Sequence, residues 1–340
     1  MKKTKPVSTS KLQIALEHVK PGISAQNTIN MMGYFLFSGT HIVSYNNKIS
    51  IAYPFKTEFE LFVKAQTLFN IVSKISTKSV MLSEKANKLC VRTNTVNAQL
   101  ATIKDEEVAG RMNNVAEDLA DADWSELPDN FNTSISLCAF SASTQESAGT
   151  LSCVRVSGDV CVASNNIQIA HIKLSSKMDD MFILASEIKS LVNINPTAYY
   201  ASDAWIHFQN EDGCIFSMRN TKGDYPDFTQ FFGIEGTKIQ LPTDLSEGIA
   251  LTSVLVDQID PIVHLRIAKN TCTIKVASDG GSIQHRAKVK YKGDPIVFLI
   301  NVQFLKEIIT HTSTVEITES VVKLQSDGFS LVTALYAESN

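Results

Sequence analysis

The chain has 340 residues, 44% of them hydrophobic and 19% charged, which suits two or three domains that each bury a core. It contains no run of about 18 apolar residues, and charged residues stand where a secretory signal needs its apolar stretch. We therefore expect neither a membrane span nor a signal peptide. The formal net charge of −4 argues against a protein that coats nucleic acid with its whole surface.

The six cysteines contain no C-x-x-C pair, and most of them lie in apolar, strand-like surroundings. Buried, reduced thiols in a cytoplasmic protein explain this pattern. A zinc site would need paired short spacings with histidines, so we expect no metal and no cofactor.

The first third of the chain begins with a predicted helix over Ser10–Val19, with Ser10 as its N-cap, because Leu12 and Leu16 fall on one helical face. Alternating apolar residues and turn signals then predict strands on both sides of a second helix. These strands are Tyr34–Phe37, Thr40–Tyr45, Lys48–Tyr53, Ser79–Leu82, Lys88–Thr93 and Ala98–Ile103.

The second helix carries a motif that recurs in each third of the chain. Its three copies begin at Phe62, Phe182 and Phe298, which are 120 and 116 residues apart, and each copy predicts a helix from its first residue. A repeat of this length suits a domain rather than a solenoid unit. The motif therefore predicts three copies of one domain.

An acidic connector follows the first third. Residues 104–130 hold nine acidic and two basic side chains and no regular strand pattern, which favours a solvated linker. The alternative is a polar helix over Val108–Leu119.

The middle and last thirds repeat the order of helix, strands, motif helix and strands. Their first helices are predicted at Ile135–Ser143 and around Ile249–Ile259, and residues 228–245 form a second connector. The predicted strands are Thr150–Val156, Asp159–Ala163, Ala198–Ser202, Ala204–Gln209, Cys214–Arg219, Thr314–Thr318, Val321–Gln325 and Phe329–Leu335, with Ser157-Gly158 as a turn between the first two.

Three stretches carry a resemblance to a known family: the opening helix Leu12–Val19, the segment Val162–Ala170, and Gly223-Asp224-Tyr225-Pro226-Asp227-Phe228. With the repeated domain, they make the sequence resemble the bacterial beta-type DNA polymerase sliding clamp, and divergence of this degree is what we would expect of a phage or mobile-element version. The resemblance implies an α+β fold of three clamp-type domains, at 1–125, 126–240 and 241–340. Each domain would pack two helices on antiparallel sheet, and the domains would close a head-to-tail ring.

The family implies a function without catalysis. A homodimeric ring would encircle double-stranded DNA without reading sequence and would tether DNA polymerase, with a clamp loader as a further partner. Weak DNA contacts suit sliding, since many phosphate contacts would hold the ring in place. The implied DNA-facing cations are Lys11, Lys20, Lys64, Lys74, Lys78, Lys189 and Lys306.

The resemblance also implies a hydrophobic pocket for partner peptides and a dimer interface. The pocket residues carried over are Leu151, Ser164, Asn166, Ile169, Leu241, Pro242, Leu331, Thr333 and Leu335. The interface residues are Ile75, Leu100, Leu255 and Val256. The chain departs from the family at Asn165-Asn166, where the family has Asp-Gly, and at its last residues, so the pocket could recognise a different peptide.

Other classes of protein stay open at this stage. The sequence shows neither a phosphate-binding Gly-x-x-x-x-Gly-Lys loop nor a His-Glu-x-x-His motif, so we expect no enzyme. The alternative to a clamp is a non-enzymatic structural or interaction protein of three β-rich domains, such as a virion component or an inhibitor of host replication. Lysines concentrated on the inner helices would favour the clamp.

Overall fold

Antiparallel strands and seven α-helices make up the described part of the chain in this computed structural model, which describes residues 6–23, 32–103, 106–120, 122–257, 261–326 and 328–335. The helices are α1 Thr9–Val19, α2 Ala65–Val72, α3 Glu106–Glu117, α4 Phe131–Ala139, α5 Ile188–Asn193, α6 Leu245–Thr252 and α7 Val302–His311. None of them is long and apolar enough to cross a membrane.

The strands are short, apart from two in the middle of the chain. They are β1 Val7–Ser8, β2 Tyr34–Ser38, β3 His41–Tyr45, β4 Ile49–Pro54, β5 Glu60–Lys64, β6 Ser79–Lys85, β7 Lys88–Arg92, β8 Asn97–Ile103, β9 Ser125–Glu126, β10 Cys153–Ser164, β11 Gln168–Leu184, β12 Ala198–Ala201, β13 Trp205–Gln209, β14 Ile215–Arg219, β15 Thr237–Gln240, β16 Ile262–Ala268, β17 Thr271–Ser278, β18 Gly281–Lys288, β19 Ile296–Asn301, β20 Thr314–Ile317, β21 Val321–Ser326 and β22 Phe329–Ala334.

The chain forms two compact units. The first consists of Met1–Ser136, Val156–Gly158 and Ser175–Lys222, and the second of Leu137–Arg155, Asp159–Leu174 and Gly223–Asn340. The division into three domains at 1–125, 126–240 and 241–340 stays a prediction.

One twelve-stranded sheet organises the first unit, in the order β1-β6-β7-β8-β5-β2-β3-β4-β14-β13-β12-β9. β4 pairs with β14, so strands from the first and middle thirds of the sequence form a continuous surface. α1 begins one residue earlier than predicted, because Ser8 rather than Ser10 is the N-cap. The Ser8 hydroxyl accepts from the Lys11 amide. Gln13 Nε2 donates to the Val72 carbonyl at 2.9 Å and joins α1 to α2.

The recurring motif is a junction between a strand and a helix, not a helix throughout. Phe62, Phe182 and Phe298 lie in β5, β11 and β19, and helical residues follow only after each strand ends. The prediction of a helix from the first motif residue was therefore wrong. Aromatic and β-branched residues favour extended backbone, and this preference prevailed over the helical spacing.

The acidic connector is not a solvated linker. Its residues form α3, whose Met112 and Val115 are only 5% and 4% exposed and pack against Leu36, Phe62 and Trp205 of the sheet. The favoured prediction was wrong because two buried apolar residues anchor a helix whose remaining composition is strongly acidic. The less favoured alternative, a polar helix, is close to the observed element.

Several boundaries differ from the predicted ones. α4 begins at Phe131, four residues before its predicted start, and α6 ends well before the predicted end at Ile259. β10 runs through the predicted turn, and within it Gly158 has φ 58°, a left-handed angle that glycine adopts without strain. The second connector contains β15, which pairs with β20.

The strands of the second unit belong to two sheets, ordered β10-β11-β22-β21-β20-β15 and β18-β17-β16-β19. α6 lies directly on the smaller sheet: a Cβ at Gly248 would stand 2.7 Å from Ile274 and 2.6 Å from His285. Only glycine therefore permits this close approach.

All six cysteines of the chain are free and buried, as predicted.

Candidate functional site

The cations predicted to face DNA are exposed at all seven positions. Their distribution is uneven, because five of them lie on or beside α1 and α2. α1 buries Leu12 and Leu16 and leaves Lys11 in solvent, and Lys20 Nζ stands 4.1 Å from the centre of the ring of Phe69 on α2. The first helix pair thus presents a moderately basic polar surface.

The other helices carry few cations. α4 contains no charged residue, α5 exposes Lys189, and α7 exposes Lys306. A surface with so few cations would make few phosphate contacts, and its hold on DNA would depend only weakly on salt.

The predicted pocket residues all lie in the second unit, but the sheet does not bring them all to one side. Leu331 and Thr333 on β22 stand opposite Ala170 and Gln168 on β11, whereas Ile169 stands opposite Val332. Directly opposed residues share a face and successive residues alternate. Ile169 therefore lies on the other face of the sheet from Leu331 and Thr333.

Most of the predicted pocket residues are buried. Ser164, Ile169, Leu241, Leu331 and Thr333 are each at most 7% exposed. Leu151, Pro242 and Leu335 are half-buried and Asn166 is exposed.

The sequence reasoning missed an exposed apolar residue beside them. Ile167 is 45% exposed and its carbonyl accepts from the Ala334 amide at 2.7 Å. The signal available in the sequence was an apolar residue directly after Asn166, in the turn before β11.

The turn that precedes β11 has a geometry that explains the departure from Asp-Gly. Asn166 has φ 70°, in the left-handed region that glycine and asparagine tolerate best. Ser164 Oγ donates to the Gln168 carbonyl at 2.8 Å and accepts from the Asn166 amide at 3.1 Å. The turn is therefore held by its own side chains.

We expect Asn166→Ala to lower the free energy of unfolding by about 1 kcal/mol, because alanine is disfavoured at positive φ. Asn166→Gly should leave stability within about 0.5 kcal/mol of the wild type. Urea unfolding of the two variants measures the difference, and equal losses for both would contradict the role of the backbone angle.

β8 and β18 are among the strands that have unpaired edges in the described part of the chain. β18 pairs only with β17, and β8 pairs along Asn97–Ala101 only with β7, meeting β5 at its last two residues. Unpaired strand edges invite a further strand. They match the type of contact that a head-to-tail ring would use.

The predicted interface residues differ in exposure. Ile75 is 6% exposed and belongs to the core, while Leu100, Leu255 and Val256 are half-buried. The sequence reasoning missed Leu251 and Val254, which are 44% and 76% exposed at the end of α6. α6 packs on β18, so this apolar surface adjoins an unpaired strand edge.

A buried hydrogen-bond chain in the first unit has the order Ser–His–Asp. His207 Nδ1 lies 2.7 Å from Ser217 Oγ, and His207 Nε2 lies 2.9 Å from Asp118 Oδ2, which also accepts from Ser202 Oγ. Ser217 and His207 are 2% and 0% exposed, so no substrate can reach the hydroxyl. The chain of contacts anchors the turn after α3 to the sheet.

Burial and these contacts set the protonation of the pair. Desolvation lowers the pKa of His207 below 6.5. Burial acts to raise the pKa of Asp118, but hydrogen bonds from His207 and Ser202 outweigh it and hold that pKa below 3.8. At neutral pH the imidazole is therefore neutral and donates from Nε2 to an ionised carboxylate.

No cluster of three metal-ligating side chains occurs in the described part of the chain.

A second polar row lies on the large sheet of the second unit. Lys238, Glu316 and Lys323 stand opposite one another on β15, β20 and β21. Glu316 contacts Lys238 at 3.1 Å and Lys323 at 3.5 Å, and Lys323 Nζ donates to the Ile234 carbonyl at 3.1 Å. The buried ammonium thus attaches the second connector to the sheet.

These elements define a class: an α+β chain in which strand-to-helix junctions recur at domain spacing, each after antiparallel strands. Solved structures show that this is the fold of bacterial DNA polymerase sliding clamps. The α+β clamp fold expected from the sequence is confirmed. No protein-family model matches the chain, and no curated protein sequence matches it either.

Three solved structures give the extent of the likeness. The sliding clamp of Pseudomonas aeruginosa matches with a TM-score of 0.78 at 14% identity, covering 98% of this chain and 99% of that one. The DNA polymerase III beta chain of Streptococcus pneumoniae matches with 0.80 at 18% identity, over 98% and 99%. The DnaN sliding clamp of Bartonella birtlesii bound to griselimycin matches with 0.80 at 15% identity, over 98% and 99%.

Proposed function

We propose that the chain is a DNA sliding clamp, a non-enzymatic processivity factor that encircles duplex DNA and tethers a polymerase. The observation that carries the proposal is the likeness to solved sliding clamps over 98% of the chain. The exposed lysines of the first helix pair and the two unpaired strand edges support it independently.

In this proposal two copies associate head to tail, with β8 of one copy beside β18 of the other. A heterologous contact of this kind closes into a ring when the rotation allows it. Extending the sheet would satisfy both strand edges and cover Leu251 and Val254. The ring would hold DNA by topology, so sparse phosphate contacts leave it free to slide.

Partner peptides would bind the second unit near Ile167, Leu151, Pro242 and Leu335, whose exposed or half-buried apolar side chains suit a hydrophobic anchor. A solved clamp of this fold binds griselimycin, which supports a ligand site in such proteins. The polymerase and the clamp loader are the partners that we propose for this site of the second unit. A cytoplasmic location agrees with the buried free thiols.

Light scattering after size exclusion tests the interface. The wild type should have about twice the mass of the 37.4 kDa chain at micromolar concentration. The variant Leu251→Asp/Val254→Asp should weaken the dimer at least about 100-fold, because burying unpaired carboxylates in an apolar contact is costly. Both side chains are exposed in the single chain, so the fold should survive.

The matched control is Ile14→Asp/Met81→Asp, which places two carboxylates at exposed apolar positions away from the proposed contact. This control should remain dimeric. A monomeric wild type would contradict the ring and favour a structural or interaction protein, including an inhibitor of replication. Equal weakening by the two double variants would move the interface elsewhere.

A further inference from the structure

The smaller sheet of the second unit has a strongly basic face. Residues 261–292 contain seven lysines and arginines and a single carboxylate, Asp279, while the chain as a whole has a net charge of −4. The four strands β16 to β19 contain no Asp or Glu. Charge is therefore segregated within the chain, which is unusual for a surface that serves solubility alone.

Strand register places these cations together. Arg266 and Arg286 stand in one row with Thr273 between them, and Lys275 lies in the next row. Lys288 follows Arg286 by two residues on β18 and so shares its face. All four side chains are exposed, and no described carboxylate forms an ion pair with any of them. We call these four residues the outer basic face.

The helices lie on the opposite side of this sheet. Leu265 and Ile274 alternate with the cations and are fully buried, and α6 approaches Ile274 so closely that only Gly248 fits. The cations are thus on the face away from α6, whereas the proposed DNA-encircling surface consists of helices. The DNA-facing role does not account for them.

We propose that the outer basic face binds the phosphodiester backbone of a nucleic acid that passes outside the ring. Strands lie about 4.8 Å apart and alternate residues about 6.8 Å apart, so the four cations, which occupy three successive rows, span about 10 Å by 14 Å and can meet more than one phosphate. Arginine and lysine without neighbouring carboxylates are the usual phosphate ligands. Gln284 Oε1, in the orientation that satisfies both side chains, accepts from Arg286 at 2.7 Å and steadies its guanidinium.

The proposal rests on the proposed function only for its position outside a ring. Binding by this face needs no closed ring and no DNA end, and it should decrease steeply with salt. A ring closed around DNA should instead be retained at high salt, because it is held by encirclement and not by charge contacts. The two proposals can therefore fail separately.

Fluorescence anisotropy with labelled oligonucleotides, one single-stranded and one duplex, tests the proposal on the full chain. Neutralising the outer basic face with Arg266→Gln, Lys275→Gln, Arg286→Gln and Lys288→Gln should weaken binding at least about tenfold at 0.1 M salt. The slope of log affinity against log salt for the single strand should fall by about 3, at about 0.7 for each cation.

The matched control neutralises four exposed lysines elsewhere, Lys56→Gln, Lys85→Gln, Lys88→Gln and Lys177→Gln, with the same change in net charge. It should keep most of the affinity. Equal affinity of the face variant and the control would overturn the proposal.

Labelled polyglutamate serves as the acidic polypeptide probe. If it binds as tightly as the oligonucleotides and depends on the same four residues, the ligand is an acidic protein segment and the nucleic-acid assignment is wrong.

Discussion

Lys323→Ala should lower the free energy of unfolding of the second unit by about 3 kcal/mol. The side chain of Lys323 is 8% exposed and its ammonium neutralises one oxygen of Glu316 while it donates to the Ile234 carbonyl. Removing it leaves Glu316 Oε2 and the Ile234 carbonyl without their partner, while the exposed Lys238 still contacts Glu316 Oε1. Breaking one side of a buried pair is costly because the remaining charge keeps its desolvation penalty.

Lys238 provides the matched control, because it contacts the same carboxylate from a side chain that is 73% exposed. Lys238→Ala should cost less than about 1 kcal/mol, as exposed ion pairs do. Urea unfolding, with hydrogen exchange at the β20 and β21 amides to localise the loss, measures both variants. Glu316→Ala in the Lys323→Ala background should recover part of the loss. Equal costs for the two lysines would contradict the account.

His207→Ala should destabilise the first unit by about 3 kcal/mol, since it creates a cavity and leaves Asp118 and Ser217 without a buried partner. Hydrogen exchange should show the loss in α3 and in β13, the elements that the histidine joins. Asp118→Asn keeps an oxygen that can accept from His207 and Ser202, so it should cost about 1 kcal/mol. A loss confined to β13 would show that α3 is held by Met112 and Val115 alone.

The same pair should make stability depend on pH. The unfolded chain binds a proton at His207 with a pKa near 6.5, whereas burial lowers the pKa of His207 in the folded protein. The stabilisation is therefore complete above pH 6.5 and is lost as the pH falls from 6.5 through the folded pKa, at no more than about 1.4 kcal/mol per pH unit. Asp118 adds a further loss below pH 3.8, where the unfolded carboxylate gains its proton first.

The difference between the wild type and His207→Ala isolates this effect, because burial also lowers the pKa values of His41 and His171. Urea midpoints at several pH values should converge for the two proteins as the pH falls below 6.5. Parallel curves over that range would show that His207 keeps its ordinary pKa.

Local patterns in the sequence predicted much of the fold. Alternating apolar residues marked most of the predicted strands to within two residues, as at β7 and β13. The exceptions depend on tertiary contacts. Met112 and Val115 look like isolated apolar residues until the aromatic surface of β2, β5 and β13 is present, and Gly158 resembles a turn because its neighbours do not show that β10 continues.

The candidate surfaces were predictable to different degrees. Lysine positions follow from helix boundaries, so the exposed cations could be placed from sequence. Strand register cannot be read from one segment, and it decides that Ile169 and Leu331 occupy opposite faces and that Arg266 and Arg286 share one. The exposed Val254 was missed because α6 ends earlier than its apolar spacing indicated.

Trapping on closed DNA tests encirclement most directly and needs no loader. Linear duplex DNA is incubated with the protein, circularised with ligase and washed at about 1 M salt, where the screening length is about 3 Å and charge contacts are weak. The account predicts that protein stays on the ligated circles, is absent from unligated DNA, and is released when one restriction cut opens the circle. Equal retention on circles and linear DNA, or no retention on either, would contradict it.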